Sequence, residues 1–196
     1  MSADQLLKKI KEPNFASLYD ALHLVYAQSR GKQRWGEKTP RDCFWMDEIR
    51  ALFSRAQFIH IIRDGRDVAV DISDSTVWPN TLYSAALRWK DYVEAVADSA
   101  RRLGPESLFE VRYEKLCLDP ERTLRRLCEF LREDFDSQML VHYENVSTRS
   151  WASSPTHAKT AYPITADYIG IYKTRLRERD LAVLDGTIGE TLLAFG

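Results

Sequence analysis

Two arginines, Arg63 and Arg66, are the side chains in this sequence best suited to bind an anion. They lie where a short apolar run, residues 57–62, gives way to a segment with apolar residues at helical spacing, residues 66–75. A guanidinium group presents a fixed fork of donors that matches the oxygens of phosphate or sulfate. The chemistry indicated at this point is therefore the binding of a phosphate or sulfate group.

The elements on either side of the arginines strengthen this prediction. Residues 57–62 are rich in β-branched side chains, which indicates a buried parallel strand, and residues 66–75 are predicted as a helix. In open α/β sheets, ligands bind at the carboxyl ends of strands, where helix amides point outward unpaired. The stretch alone leaves a second interpretation equally open, in which caps and surface ion pairs are formed by Arg63, Asp64, Arg66 and Asp67.

Composition and charge restrict the classes of protein to which the chain can belong. Its 196 residues predict a single domain over 1–196, and 28 basic against 29 acidic side chains argue against a nucleic-acid partner. No apolar run is long enough to span a membrane, and no partner membrane is predicted. Cys43, Cys117 and Cys128 form no CxxC pair, and the histidines show no ligand spacing. We therefore expect reduced thiols, no metal and a cytoplasmic location.

The periodicity of the chain predicts many helices but only two strands. Apolar spacing, caps and breakers indicate helices over about 3–11, 15–30, 42–54, 66–75, 80–103, 119–132 and 178–194. Asn14, Asp42, Asn80 and Asp119 are the expected N-caps, and the aromatic face of the second helix is expected to be core. The strands are 57–62 and 107–112, fewer than an α/β sheet normally contains, so strands of the architecture are either missing or unrecognised.

Common catalytic motifs are missing from the sequence, but an ordered set of blocks is present. The GxxxxGK[ST], GxGxxG, GxSxG and HExxH patterns do not occur, which leaves NTPase, dehydrogenase, hydrolase and metalloprotease functions unsupported. The blocks, in chain order, are WGEKTP at 35–40, FIHIIRDGRDVAVD at 58–71, VRYEKL at 111–116 with Asp119-Pro120, TAYPIT at 160–165 and IGIYK at 169–173.

In this order and spacing, the blocks resemble the PAPS-dependent sulfotransferases, in particular a bacterial branch related to the tyrosylprotein and glycosaminoglycan sulfotransferases. The resemblance runs from about Phe15 to the C-terminus. It implies an α/β fold of the P-loop-NTPase-like sulfotransferase type, with a parallel sheet flanked by helices. It also implies sulfuryl transfer from PAPS to an alcohol, phenol or sugar hydroxyl, so the expected partners are a nucleotide donor and a hydroxyl-bearing acceptor, without a metal.

The resemblance also assigns roles to individual residues. Arg63 matches the principal ligand of the nucleotide's 3′-phosphate, and Lys38 matches the lysine that acts on the bridging oxygen and the phosphosulfate. Tyr113 matches the tyrosine that contacts the nucleotide near its base. Lys173 and the irregular segment 145–163 resemble the C-terminal cover over the nucleotide.

Sulfuryl transfer to a hydroxyl also requires a general base, a group that accepts the proton of the acceptor hydroxyl. Glu37 is the nearest candidate in sequence to Lys38. A base from the segment that follows the family's N-terminal loop is the alternative, with Glu37 only orienting Lys38. A loop salt bridge of Glu37 with Lys38 or Arg41 is the purely structural interpretation.

Three positions depart from the family pattern. The N-terminal strand and the P-x-S-G-T loop that hold the 5′-phosphosulfate are not found, so we expect the first strand and loop to be lacking. Asp71 stands where a serine usually faces the 3′-phosphate, and a carboxylate there repels a phosphate dianion. Ser75, one turn further on the same helix face, is a substitute ligand. Tyr162 stands where a lysine often precedes the Pro-Ile pair.

Two other functions remain as alternatives at this stage. In the first, the chain is a catalytically incomplete remnant or a nucleotide-binding and interaction module. Such a module would need a partner, either a homo-oligomer or a complementing chain, to complete the sheet. In the second, it is an unrelated helical interaction protein in which Arg63 and Arg66 are only surface charges.

Overall fold

The computed structural model describes residues 3–74, 81–145 and 160–196, which form two compact units, Met1–Ala56 and Gln57–Gly196. Within these residues the first unit contains three α-helices, and the second contains six α-helices and two β-strands. In chain order the elements are α1 Ala3–Leu7, α2 Phe15–Ser29, α3 Met46–Leu52, β1 Phe58–Ile62, α4 Gly65–Ser73, α5 Leu82–Leu103, β2 Leu108–Arg112, α6 Tyr113–Leu118, α7 Pro120–Leu131, α8 Tyr172–Arg175 and α9 Glu178–Phe195. None of the described helices is both long and apolar enough to cross a membrane.

The two strands of the second unit pair in parallel, as predicted. Phe58 is opposite Leu108 and Ile62 is opposite Arg112, and the crossover between the strands contains α4 and α5. Because the strands are parallel and in this register, both end at the same edge of the sheet. The residues that follow the strands, Arg63 and Tyr113, are therefore brought side by side.

The core of the second unit lies beside the strand ends and holds α4 in place. Helix α4 packs on α5, and α5 packs on α9. The buried residues at these contacts are mostly alanines, aliphatic side chains and one tryptophan, namely Ile62, Ala69, Ala85, Ala86, Trp89, Val93, Leu184 and Ile188. Small side chains allow the helices to approach closely, so the start of α4 is positioned by α5 as well as by β1.

Gly65 and Trp89 form the closest of these contacts. The indole Nε1 of Trp89 donates a hydrogen bond to the backbone carbonyl of Arg63 at 2.9 Å. A Cβ atom on Gly65 would lie 2.6 Å from the same indole ring, well inside van der Waals contact. Glycine at position 65 therefore allows the tryptophan to hold the backbone of Arg63 at the end of β1.

Gly65→Ala is expected to destabilise the protein by about 2–3 kcal/mol, because the added methyl overpacks a contact that cannot relax without moving Trp89. The free energy of unfolding in urea measures the effect. Gly186→Ala is the matched control: this helical glycine in α9 has no atom within 4 Å of an added Cβ. It should be neutral or stabilise by up to about 1 kcal/mol. Equal effects for the two variants would contradict the packing argument.

In the first unit, an aromatic cluster positions the loop that carries residues 36–40. Asn14 caps α2 by accepting a hydrogen bond from the Ser17 amide at 2.8 Å. The Trp35 indole donates to the Asp20 carboxylate at 2.8 Å. The ring cluster consists of Tyr19, His23, Trp35 and Phe53. The loop therefore leaves the cluster directly after Trp35.

The prediction that the aromatic face of α2 is core is wrong for much of that face. Phe15 and Tyr26 keep 66% and 62% of their surface exposed, and the buried residues of α2 are Ala21 and Ala27. Spacing alone identifies an apolar face but does not supply the surface that would cover it. Tyr19 is the member of the stripe that packs on the aromatic cluster.

Two predicted helix starts differ from the structure. The helix predicted to begin at Asp42 is instead a 3₁₀ turn, Pro40–Phe44, followed by α3. Pro40, which lacks an amide donor, starts this turn. The long helix predicted to be capped by Asn80 begins at Leu82, with the Thr81 hydroxyl accepting from the Ser84 amide at 3.1 Å. Asn80, Ser75 and residues 146–159 lie outside the described residues.

Candidate functional site

Arg63 contacts two of the other predicted site residues at the carboxyl ends of the strands. It follows β1 directly, and its Nη1 donates to the carboxylate of Asp71 on α4. Its Nη2 donates to the backbone carbonyl of Tyr168 at 2.6 Å. The guanidinium carbon lies 4.8 Å from the centroid of the Tyr113 ring, which follows β2. The structure therefore brings Arg63, Asp71 and Tyr113 together, as the aligned strand ends require.

The first turn of α4 is occupied by its own side chains. The Asp64 carboxylate accepts from the Arg66 amide at 2.8 Å and from the Arg66 guanidinium at 3.0 and 2.6 Å. Burial alone would raise the pKa of Asp64, but the hydrogen bonds from Arg66 outweigh burial and lower that pKa. The expectation that the helix amides are unpaired is therefore wrong for Arg66, because its backbone amide donates to the Asp64 carboxylate. The capping interpretation fits Asp64 and Arg66, whereas Arg63 contacts the candidate site.

Asp67 contributes to the candidate site, although it was not predicted as a site residue from the sequence. Its carboxylate is fully buried and accepts hydrogen bonds from the amides of Gly170 at 2.7 Å and Tyr172 at 3.0 Å. The guanidinium of Arg66 lies 4.1 Å from the centroid of the Tyr172 ring. Asp67 thereby fixes the segment 168–172 against α4. The sequence feature that could have identified Asp67 is its i,i+4 spacing to Asp71, because this spacing places both carboxylates on one face of α4.

Asp67→Ala is expected to lower the free energy of unfolding by about 2–3 kcal/mol, because it removes a fully buried carboxylate and leaves the half-buried amides of Gly170 and Tyr172 without their acceptor. Asp74→Ala is the matched control at the C-cap of the same helix. Asp74 forms an exposed ion pair with Arg175 at 2.7 Å, and such surface pairs contribute at most about 1 kcal/mol. Urea unfolding compares the two variants, and a loss in Asp67→Ala no larger than in the control would contradict the role of Asp67.

Tyr113 offers a flat ring beside the cation of Arg63. The tyrosine begins α6 directly after β2, and its hydroxyl is hydrogen-bonded to the thiol of Cys117. Burial, with the hydrogen bond to Cys117 as the next cause, raises the pKa of Tyr113 above its ordinary value. The hydroxyl therefore stays protonated at neutral pH. An aromatic face next to a guanidinium suits a planar ligand that carries an anionic group.

Lys173 lies on the segment that Asp67 holds. It is exposed, and it belongs to the short helix α8. Its Nζ is 5.9 Å from the centroid of the Tyr172 ring, the ring that also receives Arg66. The predicted cover residue is thus on the segment that contacts Arg63 through the Tyr168 carbonyl.

Glu37 and Lys38, the other predicted site residues, belong to the first unit. Lys38 is exposed, and the Glu37 carboxylate accepts from the Thr39 hydroxyl at 2.6 Å. Burial would raise the pKa of Glu37, but hydrogen bonds to Asp42 and Thr39 lower it. Burial and the neighbouring Glu37 raise the pKa of Asp42 to about 6. The two carboxyl groups therefore favour sharing one proton, with Glu37 as the ionised partner.

Asp42 is thus a second residue that sequence reasoning missed, because it was predicted only as a helix cap. The spacing of five residues between Glu37 and Asp42 gave no signal for a carboxyl pair, since the 3₁₀ turn at Pro40 creates their proximity. The described residues contain no group of His, Cys, Asp or Glu side chains that could hold a metal ion. Ser75, the predicted substitute ligand, lies outside the described part of the chain.

Comparisons with known proteins agree with the family indicated by the blocks. A family model described as "Sulfotransferase family" matches residues 3–137. Protein-tyrosine sulfotransferase A of Caenorhabditis elegans is 29% identical over 119 residues, covering 55% of this chain and 31% of that protein. The protein-tyrosine sulfotransferase of Drosophila melanogaster is 28% identical over 139 residues, covering 68% and 28% respectively. The chain therefore spans well under half the length of these relatives.

Solved structures support the fold. The sulfotransferase domain from the curacin biosynthetic pathway superposes with a TM-score of 0.63 at 17% identity, covering 98% of this chain and 78% of that one. The sulfotransferase domain of the Synechococcus PCC 7002 olefin synthase gives a TM-score of 0.65 at 20% identity, covering 87% and 62%. The predicted α/β sulfotransferase fold is confirmed. With a family model matching more than half of its residues, this chain belongs to the sulfotransferase family.

Proposed function

We propose that this chain acts in the transfer of a sulfuryl group from PAPS to a hydroxyl-bearing acceptor. The observation that carries the proposal is the pairing of Arg63 with Tyr113 at the shared end of β1 and β2, in a chain of the sulfotransferase family. Arg63 binds the 3′-phosphate of the nucleotide, and the Tyr113 ring contacts the adenosine. Lys173, on the segment held by Asp67, contributes a positive charge at the cover of the nucleotide.

For the first unit, we propose that Lys38 stabilises the leaving group. During transfer, the bond between sulfur and the bridging oxygen of the donor breaks while a bond from sulfur to the acceptor oxygen forms. Negative charge grows on the bridging oxygen as the nucleotide departs, and a fixed ammonium group offsets that charge. The exposed amine of Lys38 is available for this contact. The proposal uses no metal ion.

We propose that Glu37 accepts the proton of the acceptor hydroxyl. A general base must be ionised at the working pH, and its partner Asp42, with the pKa raised to about 6, holds the shared proton in the resting pair. Loss of the Asp42 proton as the pH rises above about 6 places a second negative charge beside Glu37 and makes it a stronger base. The proton from the acceptor then goes to the Glu37–Asp42 pair.

We further propose that the protein works in a reducing compartment, the cytoplasm, since Cys43, Cys117 and Cys128 are free thiols. A second copy or a complementing chain is a candidate partner for the sheet, because the described part of the chain forms two strands and a sheet of this fold class normally contains more. Size-exclusion chromatography with light scattering would reveal such an assembly. A monomer at all concentrations would contradict the homo-oligomer.

Incubation of the chain with ³⁵S-labelled PAPS and a panel of phenols, alcohols and sugars tests the proposed activity. We expect transfer of label to at least one class of acceptor, together with release of 3′,5′-adenosine bisphosphate in equal amount. An acceptor-free sample controls for hydrolysis of the donor. Binding of the nucleotide without transfer to any class of acceptor would contradict the proposed catalysis while preserving the nucleotide site.

A further inference from the structure

The guanidinium of Arg63 already faces two carboxylates of its own chain. Asp71 binds its Nη1, and the Asp67 carboxylate lies 3.9 Å from its Nη2. The Arg63 side chain is only 13% exposed, Asp67 is fully buried and the Asp71 side chain is 33% exposed. With all three groups ionised, this cluster of Arg63, Asp67 and Asp71 carries one net negative charge.

This charge balance decides which ligand groups the cluster can accept. A phosphate dianion that approaches Arg63 meets a cation that is already neutralised, and its oxygens come close to the carboxylate of Asp71. A hydroxyl group is attracted instead of repelled. It can donate a hydrogen bond to a carboxylate, and that bond is strengthened by the negative charge of its acceptor. In dinucleotide-binding α/β folds, an acidic side chain accepts a hydrogen bond from a ribose hydroxyl in this way.

The geometry directs this choice to Asp71 and not to Asp67. Asp67 is fully buried and its two oxygens accept hydrogen bonds from the amides of Gly170 and Tyr172, so Asp67 cannot turn toward a ligand. Asp71 is the accessible carboxylate of the cluster, eight residues from Arg63 on α4. The Tyr113 ring and the Tyr168 carbonyl contact the guanidinium as well. A ligand that binds Arg63 therefore lies close to the carboxylate of Asp71.

We propose that Asp71 is a specificity-determining residue that removes the requirement for a 3′-phosphate. The site then binds adenosine nucleotides with a free 3′-hydroxyl at least as tightly as nucleotides with a 3′-phosphate, because the hydroxyl donates to Asp71 while the phosphate is repelled by it. This inference rests on the proposed function, which places the ribose of a nucleotide at Arg63.

Isothermal titration of the full 196-residue chain with AMP and with 3′,5′-adenosine bisphosphate tests the inference. In the wild-type protein we expect the Kd of AMP to be equal to or lower than the Kd of the bisphosphate. Asp71→Asn and Asp71→Ser remove the charge, and each should shift the ratio of the two Kd values by about tenfold or more toward the bisphosphate. Thermal unfolding of each variant without ligand confirms that it is folded, and the wild-type comparison needs no variant.

Asp98→Asn is the matched control, because it removes the same charge from an exposed ion pair with Arg101 on α5. It should leave the ratio unchanged. A wild-type preference of tenfold or more for the bisphosphate would overturn the inference, and so would a ratio of Kd values that Asp71→Asn does not alter, while nucleotide binding itself would still support the proposed function. Failure of both nucleotides to bind the wild-type protein and Asp71→Ser would overturn the proposed nucleotide site and the inference with it.

Discussion

Arg63→Ala is expected to weaken the binding of 3′,5′-adenosine bisphosphate by at least about 100-fold, because the nucleotide loses the hydrogen bonds of Arg63 and then faces the carboxylates of Asp67 and Asp71 without the cation that offsets them. Arg63→Lys should keep part of the affinity, about tenfold weaker than wild type, since lysine retains the charge but not the planar fork. Isothermal titration calorimetry measures both Kd values. The order wild type, lysine variant, alanine variant is the specific expectation.

Arg125→Ala controls for the loss of one positive charge. Arg125 forms an exposed i,i+4 ion pair with Glu121 on α7, and its removal should leave nucleotide affinity unchanged. Thermal unfolding must accompany the titrations, because Arg63 also donates to the Tyr168 carbonyl and its loss can loosen the segment 168–172. A folded Arg63→Ala variant that binds the bisphosphate as tightly as wild type would contradict the assigned role.

Lys38→Ala is expected to lower kcat for sulfuryl transfer by about 10²- to 10³-fold, the usual effect of removing one fixed group that stabilises charge in the transition state. The Kd for 3′,5′-adenosine bisphosphate should change by no more than about threefold, because growing charge on the bridging oxygen exists only during transfer. Single-turnover transfer of label from ³⁵S-PAPS separates the chemical step from binding. A large fall in kcat with little change in Kd indicates a catalytic lysine, whereas a lysine that only binds the nucleotide would change mainly the Kd.

The control for this variant is Lys32→Ala, which removes an exposed lysine of the same unit. It should retain the wild-type kcat. A Lys38→Ala variant whose kcat matches that of Lys32→Ala would remove Lys38 from the proposed mechanism. A large rise in Kd with kcat unchanged would assign Lys38 to nucleotide binding instead.

Local patterns were sufficient to predict the strands and the position of Arg63. The β-branched run before Arg63 and the apolar run before Tyr113 form the two parallel strands, and parallel pairing alone aligns the residues that follow them. The N-caps Asn14 and Asp119 were also predictable, because capping depends on residues within one turn. The proximity of Arg63 to Asp71 on α4 and to Tyr113 at the end of β2 therefore follows from the sequence.

Contacts between distant parts of the chain could not be predicted in this way. Asp67 accepts from the Gly170 amide, 103 residues away, and no short-range pattern marks that partner. The pairing of Asp42 with Glu37 depends on the turn that begins at Pro40, which helical periodicity conceals. The exposed apolar face of α2 was also not predictable. An apolar stripe indicates that a helix face can be buried, but it does not show whether another part of the chain covers that face.

A crystal structure of the chain with 3′,5′-adenosine bisphosphate tests most directly whether the nucleotide binds at the shared end of β1 and β2. We predict a phosphate within hydrogen-bond distance of the Arg63 guanidinium, with the adenosine in contact with the Tyr113 ring. The bond between Arg63 and Asp71 should be broken or shared with that phosphate. A nucleotide bound elsewhere, with Arg63 still bound to Asp71 and to the Tyr168 carbonyl, would contradict binding at this site.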